Sequence, residues 1–231
     1  MLRAIVGGYL FLVSGYVFGQ PQHDFKLLRY DEDYAYLHDD SARNQYNRFK
    51  FIPLGTKRAY YLSLGGDVRY QYFRTKNEDW GETPEDHDGY IFSRLLFYSD
   101  IHFGRFRIFL ETQSSSSTGQ DHPSVTDANP LDIHQAFADV TFNHRSLKVI
   151  LRAGRQEMSY GSQRLFSVRE LPNSRQAFDA AKMILFWSGF RSDLFFGNYV
   201  ISRAGIFDDD VSGAIRVWGS YAVKNNVPRI R

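Results

Sequence analysis

The sequence predicts an all-β protein, an antiparallel transmembrane β-barrel with about eight strands present. Three observations predict it. Apolar and polar residues alternate with a period of two through most of the chain after Ala59. Short and long connections between these segments alternate strictly. The N-terminus has the form of a secretory signal.

The signal is 1-MLRAIVGGYLFLVSGYVFGQ-20, with one basic residue, an apolar stretch from Ala4 to Phe18, and small or apolar Val17 and Gly19 before the expected cleavage point. Its apolar run is short of the ~20 residues that a spanning helix needs. A buried first strand or helix is the competing reading. No later segment could be a transmembrane helix, so any entry into a membrane is by strands. The expected organisation is a signal peptide over 1–19, an N-terminal periplasmic or rim segment over 20–58, and barrel strands over 59–231. The rim segment is polar and tyrosine-rich, with acidic Asp31, Glu32 and Asp33.

The strand pattern is clearest in 61-YLSLGGDVRYQYF-73. Leu62, Leu64, Val68, Tyr70 and Tyr72 share one parity; Ser63, Asp67, Arg69 and Gln71 share the other. In 105-RFRIFLETQ-113, Phe106, Ile108 and Leu110 oppose Arg105, Arg107, Glu111 and Gln113. In 133-IHQAFADVTF-142, Ala136, Ala138, Val140 and Phe142 oppose Gln135, Asp139 and Thr141. Further strands are expected near 90–103, 147–157, 178–187, 189–200 and 213–223. Tight joins fall near Gly104, at 143-NHRS-146 and at 188-SG-189; long polar joins fall at 76–88, 114–130, 158–177 and 201–212. The run 114-SSSS-117 is read as a loop entry. In lipid such strands must close on themselves, with apolar side chains outward and the polar set lining an interior. Tyr70, Tyr72, Phe142 and Tyr221 lie near strand ends, where interfacial aromatics belong.

Composition narrows the function. The chain has 231 residues, a formal net charge of +2, no cysteine, 15 Tyr and 20 Phe, which removes disulfides, thiolate metal sites and any bulk polyanion signal. No nucleic-acid partner is expected. The histidines lack metal-ligand spacing, and neither a nucleophile elbow nor a phosphate-cradling loop occurs, so an enzyme, a cofactor and a metal centre are not expected. The run 208-DDD-210 could hold calcium weakly, against the plainer reading of a solvated loop.

Local charge is more informative. From Leu147 to Phe178 the chain carries six basic residues, Lys148, Arg152, Arg155, Arg164, Arg169 and Arg175, against Glu157 and Glu170. The join 76–88 carries one Lys against six acidic residues. A single basic long loop at the end of a strand suggests one that bends into the lumen, beside inward-pointing Arg69, Arg94, Arg107 and Arg152. Arginine keeps its charge and binds carboxylates through a planar fork, so such a group can favour anions along a path. The expected path residues are therefore Arg69, Arg94, Arg107, Arg152, Arg155, Arg164, Arg169 and Arg175. The competing reading is neutralisation by Asp67, Asp100, Glu111, Asp139 and Asp179 within the interior.

The segments 27-LLRYDEDYAYL-37, 61-YLSLGGDVRYQYF-73, 132-DIHQAFADV-140 and 153-AGRQEMSYGSQRLFSVRE-170 resemble the alginate-export family of outer-membrane proteins. The last block carries the resemblance furthest. It implies a bacterial outer-membrane barrel that passes an anionic polysaccharide through an arginine-rich pore, with small anions, outer-membrane lipid and periplasmic export or assembly proteins as partners. Family barrels have considerably more strands, and 224-KNNVPRIR-231 lacks the terminal aromatic strand that completed barrels commonly have. The chain is thus expected to be a truncated or partial version of a larger barrel. Eight strands enclose an interior only wide enough for side chains. The alternatives are a structural or binding barrel without a conducting pore, and a secreted β-sandwich that binds carbohydrate.

Overall fold

The computed structural model describes residues 25–39, 41, 43–45, 47–74, 89–120 and 122–224. The expected signal peptide, the whole acidic join 76–88 and the terminal residues 225–231 lie outside them. The chain divides into two units, residues 1–32 and residues 33–231. In the first, a 3-10 turn at Arg29–Asp31 is closed by an Arg29–Glu32 ion pair of 3.0 Å.

The second unit is built on one antiparallel sheet of nine strands in chain order: β1 (Ile52–Pro53), β2 (Tyr60–Phe73), β3 (Tyr90–Phe103), β4 (Phe106–Thr118), β5 (Asn129–His144), β6 (Leu147–Gln156), β7 (Phe178–Trp187), β8 (Phe190–Ile201) and β9 (Asp210–Lys224). Every neighbour pair is a hairpin, and β9 does not pair back onto β1 or β2 among the described residues. The sheet is therefore open, a form compatible with a partial barrel. Strands β2 to β9 run 10–16 residues, enough for the ~9–11 residues that a tilted strand needs to cross hydrocarbon.

The alternation of connections is as expected. Two-residue turns at 104–105, 145–146 and 188–189 lie at one end; joins 74–89, 119–128, 157–177 and 202–209 lie at the other. Ser188 and Gly189 both take positive φ (47° and 77°), the backbone of a tight hairpin whose twist matches its strands. The serine run departs from expectation. Ser114 to Thr118 continue β4, paired to Leu95 through Ile91 of β3, and Ser93 and Ser116 share a 2.6 Å hydroxyl contact. Strand pairing overrides serine's preference for loops because β3 offers a full ladder of partners there.

Burial runs opposite to that of a water-soluble sheet. Val68, Tyr70, Tyr72, Ile91, Leu95, Phe97, Ile101, Ile108, Leu110, Leu151, Leu194, Phe196 and Trp218 are exposed, while Arg94, Asp100, Glu111, Gln113, Asp139, Arg152, Lys182 and Asp193 are buried. A one-residue slip in register would exchange these faces, so the pattern is specified by every strand at once. Apolar outside and polar inside is the arrangement of strands that meet hydrocarbon. Hairpins at the short-turn end close on outward aromatic pairs, Phe103 with Phe106 and Trp187 with Phe190. Tyr70, Tyr72 and Phe142 are exposed as expected of a girdle. Tyr221 is not. It stands opposite Asp193 on the polar face and packs on Tyr160 of the third long join, because from Val217 to Val223 β9 turns its odd-numbered residues inward.

Two segments cover the polar face. At the short-turn end, residues 33–58 make 3-10 turns at Ala35–His38 and Arg48–Lys50 and form an apolar cluster of Tyr34, Leu37, Phe51 and Tyr61. Phe51 stacks on Tyr61, which stacks on His102. Lys50 reaches the Tyr98 hydroxyl at 2.7 Å. At the other end, join 157–177 buries Met158, Val168 and Asn173 completely. Between the two, Tyr98, Phe109 and Phe137 stack across β3, β4 and β5.

Candidate functional site

Cross-strand register assembles the first arginine group. A single rung runs Tyr61, His102, Arg107, Asp139, Arg152, Lys182, Phe195, Gly219 from β2 to β9. Each cation on it meets a carboxylate carried by a strand. Arg107 grips Asp100 through two bonds of 2.7 Å, and Arg152 grips Asp139 through two of 2.8 Å. Arg107 also lies 3.8 Å from Asp139, and Lys182 lies 4.0 Å from Asp193, which Arg191 grips from below. Arg152 further lies 3.9 Å over the Phe137 ring. Gly154 stands opposite Phe137 at a φ of 128°, where a side chain would collide with the Ala136 carbonyl.

The second group forms where join 157–177 meets β2, β3 and β4. Arg69 and Arg94 are direct partners across β2 and β3, two like charges side by side. Such a pair repels unless an anion sits between the guanidinium groups. Glu170 supplies it: its Oε2 accepts from Arg94 Nη2 at 2.9 Å and from Arg69 Nη1 at 3.4 Å, and its Oε1 lies 3.1 Å from Arg175 Nε. The Arg175 side chain is 3% exposed and that of Glu170 46%, so three guanidinium groups present one carboxylate at an open rim. Burial pushes the Glu170 carboxyl up, but Arg175, the hydrogen bond from Arg94 and the charge of Arg69 outweigh it and hold the group below the usual carboxylate range. Asn173 fixes the join: its amide lies within 3.0 Å of the Ser93, Ser116 and Asp127 carbonyls. Arg175 N–H donates to Gln113 at 2.9 Å.

Behind Arg175 lies a buried trio of Glu111, His134 and Glu157. A register shift between Glu111 and Thr112 places His134 and Gln135 on the same face. His134 Nε2 meets Glu157 Oε1 at 2.8 Å, Gln135 donates to Glu111 at 2.8 Å, and Arg175 Nε stands 3.1 Å from Glu157. Arg175 brings a positive charge to this trio. His102 belongs to the other group, 3.0 Å from Asp100.

The eight expected arginines thus divide. Arg69, Arg94 and Arg175 converge on Glu170, and Arg107 and Arg152 lie on the polar rung. Arg164 is exposed on its join, and Arg169, at a φ of 54°, lies over the Tyr199 ring with its Nη1 3.3 Å from the hydroxyl. Arg155 does not stand beside Arg152 on the polar face. Its parity in β6 is that of Leu151 and Ala153, and it pairs with Asp179 at 2.9 Å and with the Asp209 carbonyl at 3.3 Å. Successive strand residues alternate faces, and β6 has no bulge to rescue it. Sequence reasoning missed Lys182 and the central place of Glu170. The inward parity of Lys182 was readable; the fold of the join was not.

Residues 60–224 match the family model described as Alginate export, well over half of the chain. The chain belongs to the alginate-export family. That is a transport family of the outer membrane, and the inside-out sheet described above fits it. No curated protein and no solved structure matches the chain.

Proposed function

We propose that this alginate-export protein supplies an outer-membrane, porin-like path for anionic polysaccharide or other anionic solutes, and that it performs no chemistry. The supporting observation is the convergence of Arg69, Arg94 and Arg175 on a half-exposed carboxylate. A uronate sugar carries the same carboxylate, and fork-shaped guanidinium groups bind it with direction as well as charge. Several moderate sites favour passage over retention. Residues 1–19 would direct secretion, the exposed apolar face would meet lipid, and assembly or export proteins would meet the protein in the periplasm.

The test is the reversal potential of the refolded protein in planar bilayers under a salt gradient. Anion preference that falls in Arg69→Ser and Arg94→Ser supports the reading; selectivity unchanged by both variants sinks it. A second reading, a binding barrel without a conducting pore, draws on the complete burial of Met158, Val168 and Asn173 in the join that covers the polar face. Uronate binding without conductance would favour that one.

A further inference from the structure

The fourth long join, 202–209, is tied down on the β5 margin beside the Arg155–Asp179 pair. Ile206 forms a parallel bridge with Leu131, and Phe207 N–H donates to the Leu131 carbonyl at 3.0 Å. This fold brings Asp208 and Asp209 to Asp132, a residue far away in sequence. One carboxylate oxygen from each of the three lies within 4.8 Å of the others. Two oxygens on opposite sides of a calcium ion, at roughly 2.3–2.6 Å each, are separated by about 5 Å.

Proximity of acidic groups alone would mean little on an exposed loop. Here, however, Asp132 is only 2% exposed, and its Oδ2 has no hydrogen-bond partner. An ionised oxygen so buried needs a positive partner or a donor. Its other oxygen accepts only a 3.3 Å contact from Asp209 N–H. Asn129, 1% exposed, donates its amide to Asp209 Oδ1 at 2.9 Å and leaves its own Oδ1 unpartnered. The neighbouring cations are engaged elsewhere. Arg155 grips Asp179 and touches Asp209 only at its main-chain carbonyl, and the Arg203 side chain lies 3.4 Å from Asp210. Among the described residues no lysine or arginine forms an ion pair with Asp132, Asp208 or Asp209.

We propose that Asp132, Asp208 and Asp209, with Asn129 at their side, form a calcium site that fastens the β8–β9 join to the start of β5. All-oxygen donors of mixed exposure suit a hard ion with flexible coordination; magnesium demands a stricter octahedron and keeps its waters. The site lies among residues joining the strand ends, so it would stiffen the rim and leave the polar rung untouched.

Calorimetric titration of calcium chloride into the refolded protein tests this, beside amide exchange of residues 202–209. The expected result is saturable binding in the ~0.1–1 mM range of extracellular calcium modules, with slower exchange in the join. Asp208→Asn, an exposed position that leaves every strand contact intact, should weaken binding about tenfold by removing one ligand charge. Asp210→Asn alters the same acidic run outside the trio and should leave affinity unchanged. Absence of saturable binding, equal loss in Asp210→Asn, or an equal response to magnesium would each overturn the assignment.

Discussion

The two arginine groups on the polar face use the same side chain for opposite ends. On the rung of Arg107, Arg152 and Lys182, each cation meets a carboxylate on a strand, with Asp100, Asp139 and Asp193 no more than 5% exposed. Strand pairing sets which of these groups are neighbours. At the rim, Arg69, Arg94 and Arg175 share one carboxylate that comes from a connection and is nearly half exposed. Three positive charges meet Glu170, with Asp67 4.0 Å from Arg94 and Glu157 3.1 Å from Arg175. The difference lies in the carboxylate and not in the number of arginines: at the rim it is borne by a connection and open to solvent, on the rung it is borne by a strand and buried.

The comparison breaks most readily at Arg152. Replacing it with Ala leaves Asp139 buried, with Arg107 at 3.8 Å as its remaining cation. The expected loss is about 3–5 kcal/mol in urea unfolding of the refolded protein, the cost of stranding a buried charge. A double variant, Arg152→Met with Asp139→Leu, should recover most of it, because two apolar residues of similar volume strand nothing. A loss under about 1 kcal/mol in the single variant would place Arg152 with surface pairs and erase the distinction.

Much of this contrast could be read from the sequence, and the boundary is physical. Alternation placed Arg69, Arg94, Arg107 and Arg152 on one face correctly, because each sits in a strand without an irregularity beside it. The same rule excluded Arg155, whose parity matches Leu151 and Ala153; the charge of the following segment obscured it. Strict parity would set His134 outward, but the register shift at Glu111 and Thr112 sets it inward beside Gln135. Glu170 was unreadable for a different reason. A long join has no period, and its path is fixed by distant contacts such as Asn173 with Ser93 and Ser116. Serine composition misled at 114–117, where β3 supplied ladder partners that local propensity does not foresee.

Glu170→Gln sharpens the comparison from the other side. It removes the charge that Arg69, Arg94 and Arg175 share but keeps the side chain's length, so the sheet should unfold within about 1 kcal/mol of the parent, as for partly exposed pairs. Binding of a uronate oligosaccharide, followed by calorimetry, should tighten because the internal competitor has been neutralised. Weaker binding would mean that Glu170 orders the arginines for a ligand instead of occupying their place.

The smallest effect is in pH. The Glu170 carboxyl is held below its ordinary range in the folded protein, so its contribution is fully present above the unfolded value of about 4.3. It is lost as pH falls through the lower folded value, when protonation removes the charge that the three arginines share. Arginine does not titrate in that window, but Asp67 and Glu157 also face the group, at 4.0 Å from Arg94 and 3.1 Å from Arg175. Amide exchange across 157–177 should therefore quicken below the ordinary carboxylate range, while the β4 to β7 rung stays protected. In Glu170→Gln the Glu170 part of that change should vanish and leave a shallower profile. An identical profile in both proteins would assign the acid response to Glu157 or Asp67 and make Glu170 a bystander at the rim.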